Sequence, residues 1–293
     1  MINRRNFMKG LVGLIILGET TEGFSEQYKD KKRVVVCFDT GVRTPEKWEE
    51  LTQFSNELAN KTGAPAPFSF YITSCDFFTH LSGGSDTGFA KSKENAERNV
   101  KIIQGMINNG HEIGSHSVRH KNGEKWNYNQ WHQEIKEFDE HISRFFSDKT
   151  GKSYKCIGFR APYLGYNDNM HKALSDLKYT YDISKPGDFV KNKDGLTLVG
   201  LPEYKRKNGK IVLGMDYNWH VLKISDVELE SILEKELERY DPLIISMHNS
   251  RWQHGARCYW DTVKDFLRRH AQNEDIKIIS MGEYVGSIRD KTL

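Results

Sequence analysis

A parallel α/β fold, closed as a distorted (β/α) barrel of seven or eight strands, is what this 293-residue sequence predicts. Three observations carry the prediction. Short apolar runs rich in β-branched residues alternate with amphipathic helical stretches from residue 32 onward, the pattern of strands joined by helical crossovers. Polar residues with chemical capacity, Asp39, His116, Arg160 and His248, stand at the carboxyl ends of four different runs, where barrel active sites collect. The alternative, a doubly wound open sheet, lacks the glycine-rich dinucleotide fingerprint that would follow its first strand.

The elements follow in order. RVVVCF (33–38) reads as the first strand. Pro45 to Lys61 reads as a helix with Trp48, Leu51, Phe54 and Leu58 on one face. PFSFYIT (67–73) is a second strand. Glu94 to Asn109 is a helix carrying Val100, Ile103 and Ile107, stopped by Gly110. HEIGSH (111–116) is a short strand, and Asn129 to Lys149 a helix with Trp131, Ile135, Phe138, Ile142 and Phe145 in register. KCIGF (155–159) is a strand, after which Asp168 is placed to cap the helix at 169–177. YTYDIS (179–184) is a strand, the polar stretch 191–210 a long loop or hairpin, and KIVLGMD (210–216) another strand. Ser225 and Glu228 form a capping box for a helix reaching about Arg239. PLIISMH (242–248), a helix from Trp260 to Ala271 and IKIIS (276–280) complete the alternation, with no internal repeat or interdomain linker.

Composition narrows the function. The 43 basic and 40 acidic residues are well mixed and leave a formal net charge of +3, a solvated surface and not a nucleic-acid footprint. The four cysteines have no CxxC spacing, which argues against a thiolate zinc cluster, and disulfides are compatible with export. Residues 1–30 read as an export signal and leader: Arg4-Arg5 in tandem, then an apolar run from Leu11 to Leu17 that is short for a bilayer span. The order Arg4-Arg5-x-Phe7-Met8-Lys9 resembles a twin-arginine signal. The mature protein is therefore expected to be exported, without a stable membrane span, as one catalytic domain over 31–293.

Four segments hold the chemistry. His116 and His120, in HSVRH, present two imidazoles to one ion if the segment curls into a turn of helix, and imidazole suits zinc and similar divalent metals. Arg160 precedes the rigid Ala161-Pro162-Tyr163 turn, and its guanidinium could hold Asp39 ionised. His248, at the end of an apolar strand, suits an acid or base facing a cleft.

Taken in order, these segments resemble the polysaccharide deacetylase family, carbohydrate esterase family 4, over about residues 33 to 285. The family's H-[ST]-x-x-H motif is matched by His116-Ser117-Val118-Arg119-His120, and its R-x-P-Y motif by Arg160-Ala161-Pro162-Tyr163. His248 matches the histidine after an apolar strand, and GHEIGSHSVRH and RAPYL look most like the chitin deacetylases. The TFDDG motif is met by Cys37-Phe38-Asp39-Thr40-Gly41, and the Asp-Trp motif has no clean match, with Asp182 and Asp188 as candidates.

The resemblance implies removal of N-acetyl groups from an N-acetylglucosamine-containing polysaccharide such as chitin, peptidoglycan or an exopolysaccharide. It implies a divalent metal, zinc foremost, on His116 and His120. Asp39 becomes the base, oriented by Arg160; a backbone N–H near Tyr163 contacts the substrate oxyanion; His248 protonates the departing amine. Trp126, Trp219 and Trp252 could stack on sugar rings, although buried packing is the commoner role for any one of them. Thr40 stands where the family places its third metal ligand, a carboxylate. Either Asp39 turns to the metal, or a carboxylate such as Asp76 completes the site, or the protein binds glycans with little or no catalysis.

Overall fold

The computed structural model describes residues 31–39, 45–78, 93–206, 208–248, 259–273 and 275–290. The leader at 1–30, Thr40, Trp252 and Cys258 lie outside the described residues.

Strand β1 (Lys32–Asp39) pairs with three neighbours, and every residue from Val34 to Asp39 is buried. That is the behaviour of a parallel strand covered on both faces, and it explains the continuous apolar run. β1 pairs in parallel with β2 (Ser69–Ile72), β10 (Leu243–His248) and β11 (Ile276–Ile278). The sheet continues through β3 (Glu112–Ser115), β4 (Gly158–Phe159), β5 (Tyr181–Asp182) and β7 (Leu196–Val199) to the antiparallel edge strand β6 (Val190–Lys193). Among the described residues it is a nine-stranded, curled half-barrel in which all strands but β6 run parallel. The expected α/β barrel is thus present in distorted form, with one strand more than expected. The hairpin β6–β7 comes from the polar 191–210 stretch. A second difference is β9 (Ile211–Leu213), which pairs with β8 (Glu203–Lys205) in a two-stranded sheet of its own.

The helices are α1 (Pro45–Thr62), α2 (Lys93–Asn108), α3 (Tyr128–Phe145), α4 (Asp168–Asp176), α5 (Asp216–Val221), α6 (Asp226–Arg239), α7 (Tyr259–Gln272) and α8 (Met281–Arg289). The Ser225 side chain accepts from Glu228 N–H at the start of α6, as its sequence predicts. At α4 the cap is Asn167, whose side chain accepts from Met170 N–H; Asp168 is already the first helical residue. No helix among the described residues is long and apolar enough to cross a membrane.

Strand side chains alternate between faces, and the two faces have different contents. Val34, Val36 and Phe38 of β1, Phe70 and Ile72 of β2, and Leu243, Ile245 and Met247 of β10 join the helix residues in one large core. The opposite, concave face buries Val35, Cys37, Tyr71, Tyr181 and Ile244, sealed by Met281, Tyr284 and Val285 of α8. Asp39, His116, Arg160, Ser246 and His248 have the same parity as this second set, so they line the inner face at the strands' carboxyl ends. Cys37, Cys75 and Cys156 are buried free thiols.

Candidate active site

Asp39 ends β1 opposite His248 on β10 and Tyr71 on β2. From β4, Arg160 reaches across the inner face: its Nη1 donates to Asp39 Oδ1 at 2.7 Å and its Nη2 to Ser246 Oγ at 3.2 Å. Arg160 is fully buried and Asp39 nearly so. Burial pushes the Asp39 carboxyl toward its neutral form, but the Arg160 guanidinium, helped by His116 and His248, outweighs it and holds the pKa below the ordinary carboxylate value. Asp39 is therefore an anion with one oxygen engaged by Arg160.

The two histidines of the HSVRH segment come together with their ring centroids 4.9 Å apart. The expected turn of helix is absent. Ser117 and His120 have left-handed φ values of 68° and 51°, and the segment is a bend. Glu134 of α3 pins it: its Oε1 accepts from Val118 N–H at 3.1 Å and Arg119 N–H at 2.9 Å, and its Oε2 accepts from Arg119 Nη1. Sequence reasoning missed Glu134, because nothing local links a helix glutamate to a loop 15 residues earlier. His116 Nδ1–H donates to the Arg160 carbonyl at 2.8 Å, so Nε2 keeps its lone pair. Burial lowers the His116 pKa, with Asp39 opposing, which favours the neutral imidazole that a metal requires.

The donor chemistry of this pair suits a divalent ion: a neutral imidazole fixed by a backbone carbonyl, with a second imidazole beside it. No group of three His, Cys, Asp or Glu side chains among the described residues is placed to hold a metal. Asp76 does not supply the third ligand: it is fully buried in a 3-10 turn, where its Oδ2 accepts from Thr73 N–H and Thr73 Oγ1, both at 3.0 Å.

His248 has a partner absent from the sequence expectations. Asp216, the first residue of α5, accepts from His248 N–H at 2.8 Å and from His248 Nδ1–H at 2.7 Å. Burial opposes protonation of the imidazole, but the charge and hydrogen bond of Asp216 prevail and raise its pKa above the ordinary value. Nδ1 is occupied, so Nε2 is the nitrogen left to exchange a proton. The signal that could find Asp216 is Trp219 three residues on, a spaced form of the Asp-Trp pair.

The two candidate carboxylates for the Asp-Trp motif lie elsewhere. Asp182 pairs in register with Phe159 and so faces the helices; it accepts from Ser184 Oγ at 2.5 Å and lies 3.3 Å from His171 Nε2. Asp188 is on the surface beside Arg239. Tyr163 does border the site: it is 56% exposed, its φ of 57° is left-handed, and its ring lies 4.8 Å from that of His120. Trp219, one of the three candidate stacking residues, instead packs fully buried against Tyr259, and Trp126 is half-buried on Trp131.

Comparison with known proteins bears on this geometry. Residues 83–181 match the polysaccharide deacetylase family model, a span that holds His116, His120, Arg160 and Tyr163 but not Asp39, Asp216 or His248. No curated protein sequence matches the chain. Among solved structures, a presumed polysaccharide deacetylase from Mycobacterium smegmatis aligns with a TM-score of 0.59 at 15% identity, over 90% of this chain and 93% of that one. The chitin deacetylase of the fungal pathogen Colletotrichum lindemuthianum aligns with a TM-score of 0.54 at 14% identity, over 86% and 87%. A CE4 family pseudoenzyme from Bacillus anthracis aligns with a TM-score of 0.52 at 11% identity, over 87% and 66%. The chain is thus similar to the polysaccharide deacetylases in sequence over residues 83–181, and it shares the fold of solved members of that family over most of its length.

Proposed function

We propose that this protein hydrolyses the N-acetyl groups of an N-acetylglucosamine-containing polysaccharide. The observation that carries the reading is a base and an acid held at opposing positions of adjacent strands, Asp39 on β1 and His248 on β10. Each has its own charge partner, Arg160 for the base and Asp216 for the acid.

Amide hydrolysis needs that division of labour. Water attacks the acetyl carbonyl carbon and gives a proton to the Asp39 carboxylate. The C–N bond breaks as His248 Nε2–H delivers its proton to the nitrogen, which leaves poorly until it gains one. The products are acetate and the free amine. The partners set the two groups in opposite states: Arg160 keeps Asp39 charged and able to accept, and Asp216 keeps His248 protonated and able to donate. His116 and His120 would hold a divalent metal, zinc by the chemistry of two imidazoles, whose bound form supplies Lewis acidity toward the carbonyl. Tyr163, beside His120, would contact the substrate.

A second reading, glycan binding with weak or no hydrolysis, draws support from two facts. Thr40 replaces the carboxylate of the family's first motif, and a pseudoenzyme shares the fold. The chemistry favours catalysis, because the Arg160 and Asp216 contacts tune a base and an acid, and binding alone needs neither. We propose also that residues 1–30 direct export, which would bring the enzyme to its polymer.

The test is acetate release from chitin oligomers, peptidoglycan and N-acetylated exopolysaccharide, with and without added Zn²⁺. Metal-stimulated release from at least one polymer is expected. Retention of these polymers without release would favour the binding reading.

A further inference from the structure

Beneath the Asp39–Arg160 pair, the concave face carries two tyrosines in a chain of hydrogen bonds. The Arg160 Cζ lies 4.5 Å from the centroid of the Tyr71 ring. Tyr71 OH is 3.0 Å from Tyr181 OH, and Tyr181 OH donates to Glu112 Oε1 at 2.8 Å. Glu112 Oε2 accepts from Ser69 Oγ at 2.8 Å and from Gly282 N–H at 2.9 Å, at the start of α8. Tyr71, Tyr181 and Arg160 are all fully buried.

The strands are cut to seat these rings. A methyl group on Gly114 of β3 would lie 2.7 Å from Tyr71 Cδ1, and one on Gly158 of β4 would lie 2.1 Å from Tyr181 Cζ. Each phenol thus lies against a strand glycine that alone leaves room for it. One ring faces the guanidinium, and the Tyr181–Glu112 chain fixes its hydroxyl. The guanidinium is weakly hydrated and planar, and an aromatic face attracts it most strongly where water is excluded.

We propose that Tyr71 is a positioning residue for the Arg160–Asp39 pair: its ring is the platform that holds the guanidinium in line with the Asp39 carboxylate. The hydrogen bonds of the Arg160 guanidinium, to Asp39 and Ser246, engage its Nη atoms. They fix the end of the fork, and the ring bears on its face. The kinetic part of this inference rests on the deacetylase reading; the structural part does not.

Two measurements on the full-length protein test it. In the first, Tyr71→Phe, Tyr71→Leu and Arg160→Lys are compared for acetate release. Tyr71→Phe keeps the platform and should retain kcat within about threefold, the scale of one neutral hydrogen bond. Tyr71→Leu removes it and should lower kcat by about 30-fold, the worth of a desolvated cation–π contact, with KM within about twofold. Added to Arg160→Lys, Tyr71→Leu should cost little more, because the two act as one unit. A merely structural residue would give additive losses instead.

The second measurement is NMR of 15N-arginine-labelled protein, which needs no turnover. The Arg160 side-chain protons should be shifted upfield by the Tyr71 ring current, kept in Tyr71→Phe and lost in Tyr71→Leu. If Tyr71→Leu does not fold, Gly114→Ala, whose methyl displaces the same ring, should lose the shift in its place. Wild-type kcat in folded Tyr71→Leu, or unshifted Arg160 protons in the parent protein, would overturn the proposal. An inactive parent with the expected shift would sink the deacetylase reading and leave the platform standing.

Discussion

Asp216 grips His248 at two points, the backbone N–H at 2.8 Å and Nδ1 at 2.7 Å, so one carboxylate fixes both the end of β10 and the ring it carries. The first prediction concerns this contact. On the deacetylase reading His248 acts while protonated, so activity should fall as pH rises through its raised pKa. Asp216→Asn removes the charge that raises that pKa and leaves the burial that lowers it. The alkaline limb of the kcat profile should move to lower pH, and kcat above neutrality should drop by as much as roughly 10²-fold, the lower range for a positioned acid. An unmoved alkaline limb in Asp216→Asn would show that another group is the acid.

Asp39 makes the complementary prediction. Its pKa is depressed, so its basicity should persist as pH falls through the usual carboxylate range. Asp39→Asn keeps the shape but cannot take a proton, and activity should fall by roughly 10²–10⁴-fold. Metal content after dialysis should be unchanged if Asp39 is the base alone, and reduced if it also serves as a ligand. Thr40→Asp should tighten divalent-metal binding, because a carboxylate outcompetes a hydroxyl. Calorimetry with Zn²⁺ on both variants separates these roles.

The third prediction places metal affinity on a residue that is not itself a ligand. Glu134 holds Val118 N–H and Arg119 N–H in the bend between the two histidines. Replacing both His116 and His120 by alanine should abolish metal retention. Glu134→Gln, which keeps one acceptor and loses the charge opposite Arg119, should weaken Zn²⁺ affinity by roughly 10- to 100-fold, the usual effect of losing a group that orients ligands. Equal zinc affinity in Glu134→Gln and parent would assign the bend's geometry to the chain itself.

A fourth prediction is remote from the chemistry. The buried His111 accepts a hydrogen bond from Phe68 N–H through Nδ1 at 3.0 Å, so the folded protein holds the ring neutral. Burial, aided by Lys149, lowers its pKa to about 4. The unfolded chain takes up this proton near pH 6.5, the folded one only near 4. Stability should therefore be full above about pH 6.5 and fall as pH drops toward 4, by up to roughly 3 kcal/mol. Denaturant melts between pH 4 and 7 should show this slope in the parent and a shallower one in His111→Gln.

Parity along the strands decides what was legible in the sequence. The run from Val34 to Asp39 reads as a strand ending on an acid, and alternation alone puts Val35, Cys37 and Asp39 on one face. His116, Arg160 and His248 stand at strand ends for the same reason and come to one region. Asp182 misleads because it too ends a strand, yet it pairs with Phe159 and faces the helices. Counting alternate residues from Tyr181, which faces inward, would have excluded it. Asp216 was hidden by a different cause: KIVLGMD reads as one strand, but β9 stops at Leu213 and the aspartate opens a short helix. The Glu134 latch and the platform under Arg160 depend on contacts between distant elements, which no local pattern encodes.

The two tyrosines seated on glycines also bear on the direction of traffic. Tyr71, Tyr181 and the α8 residues Met281, Tyr284 and Val285 pack together on the concave face below Arg160. On the deacetylase reading, water, acetyl group and departing acetate all meet Asp39 and His248 at the strands' carboxyl ends. Acetate leaving there passes the place where the next acetyl group must arrive, and accumulated product should compete with substrate.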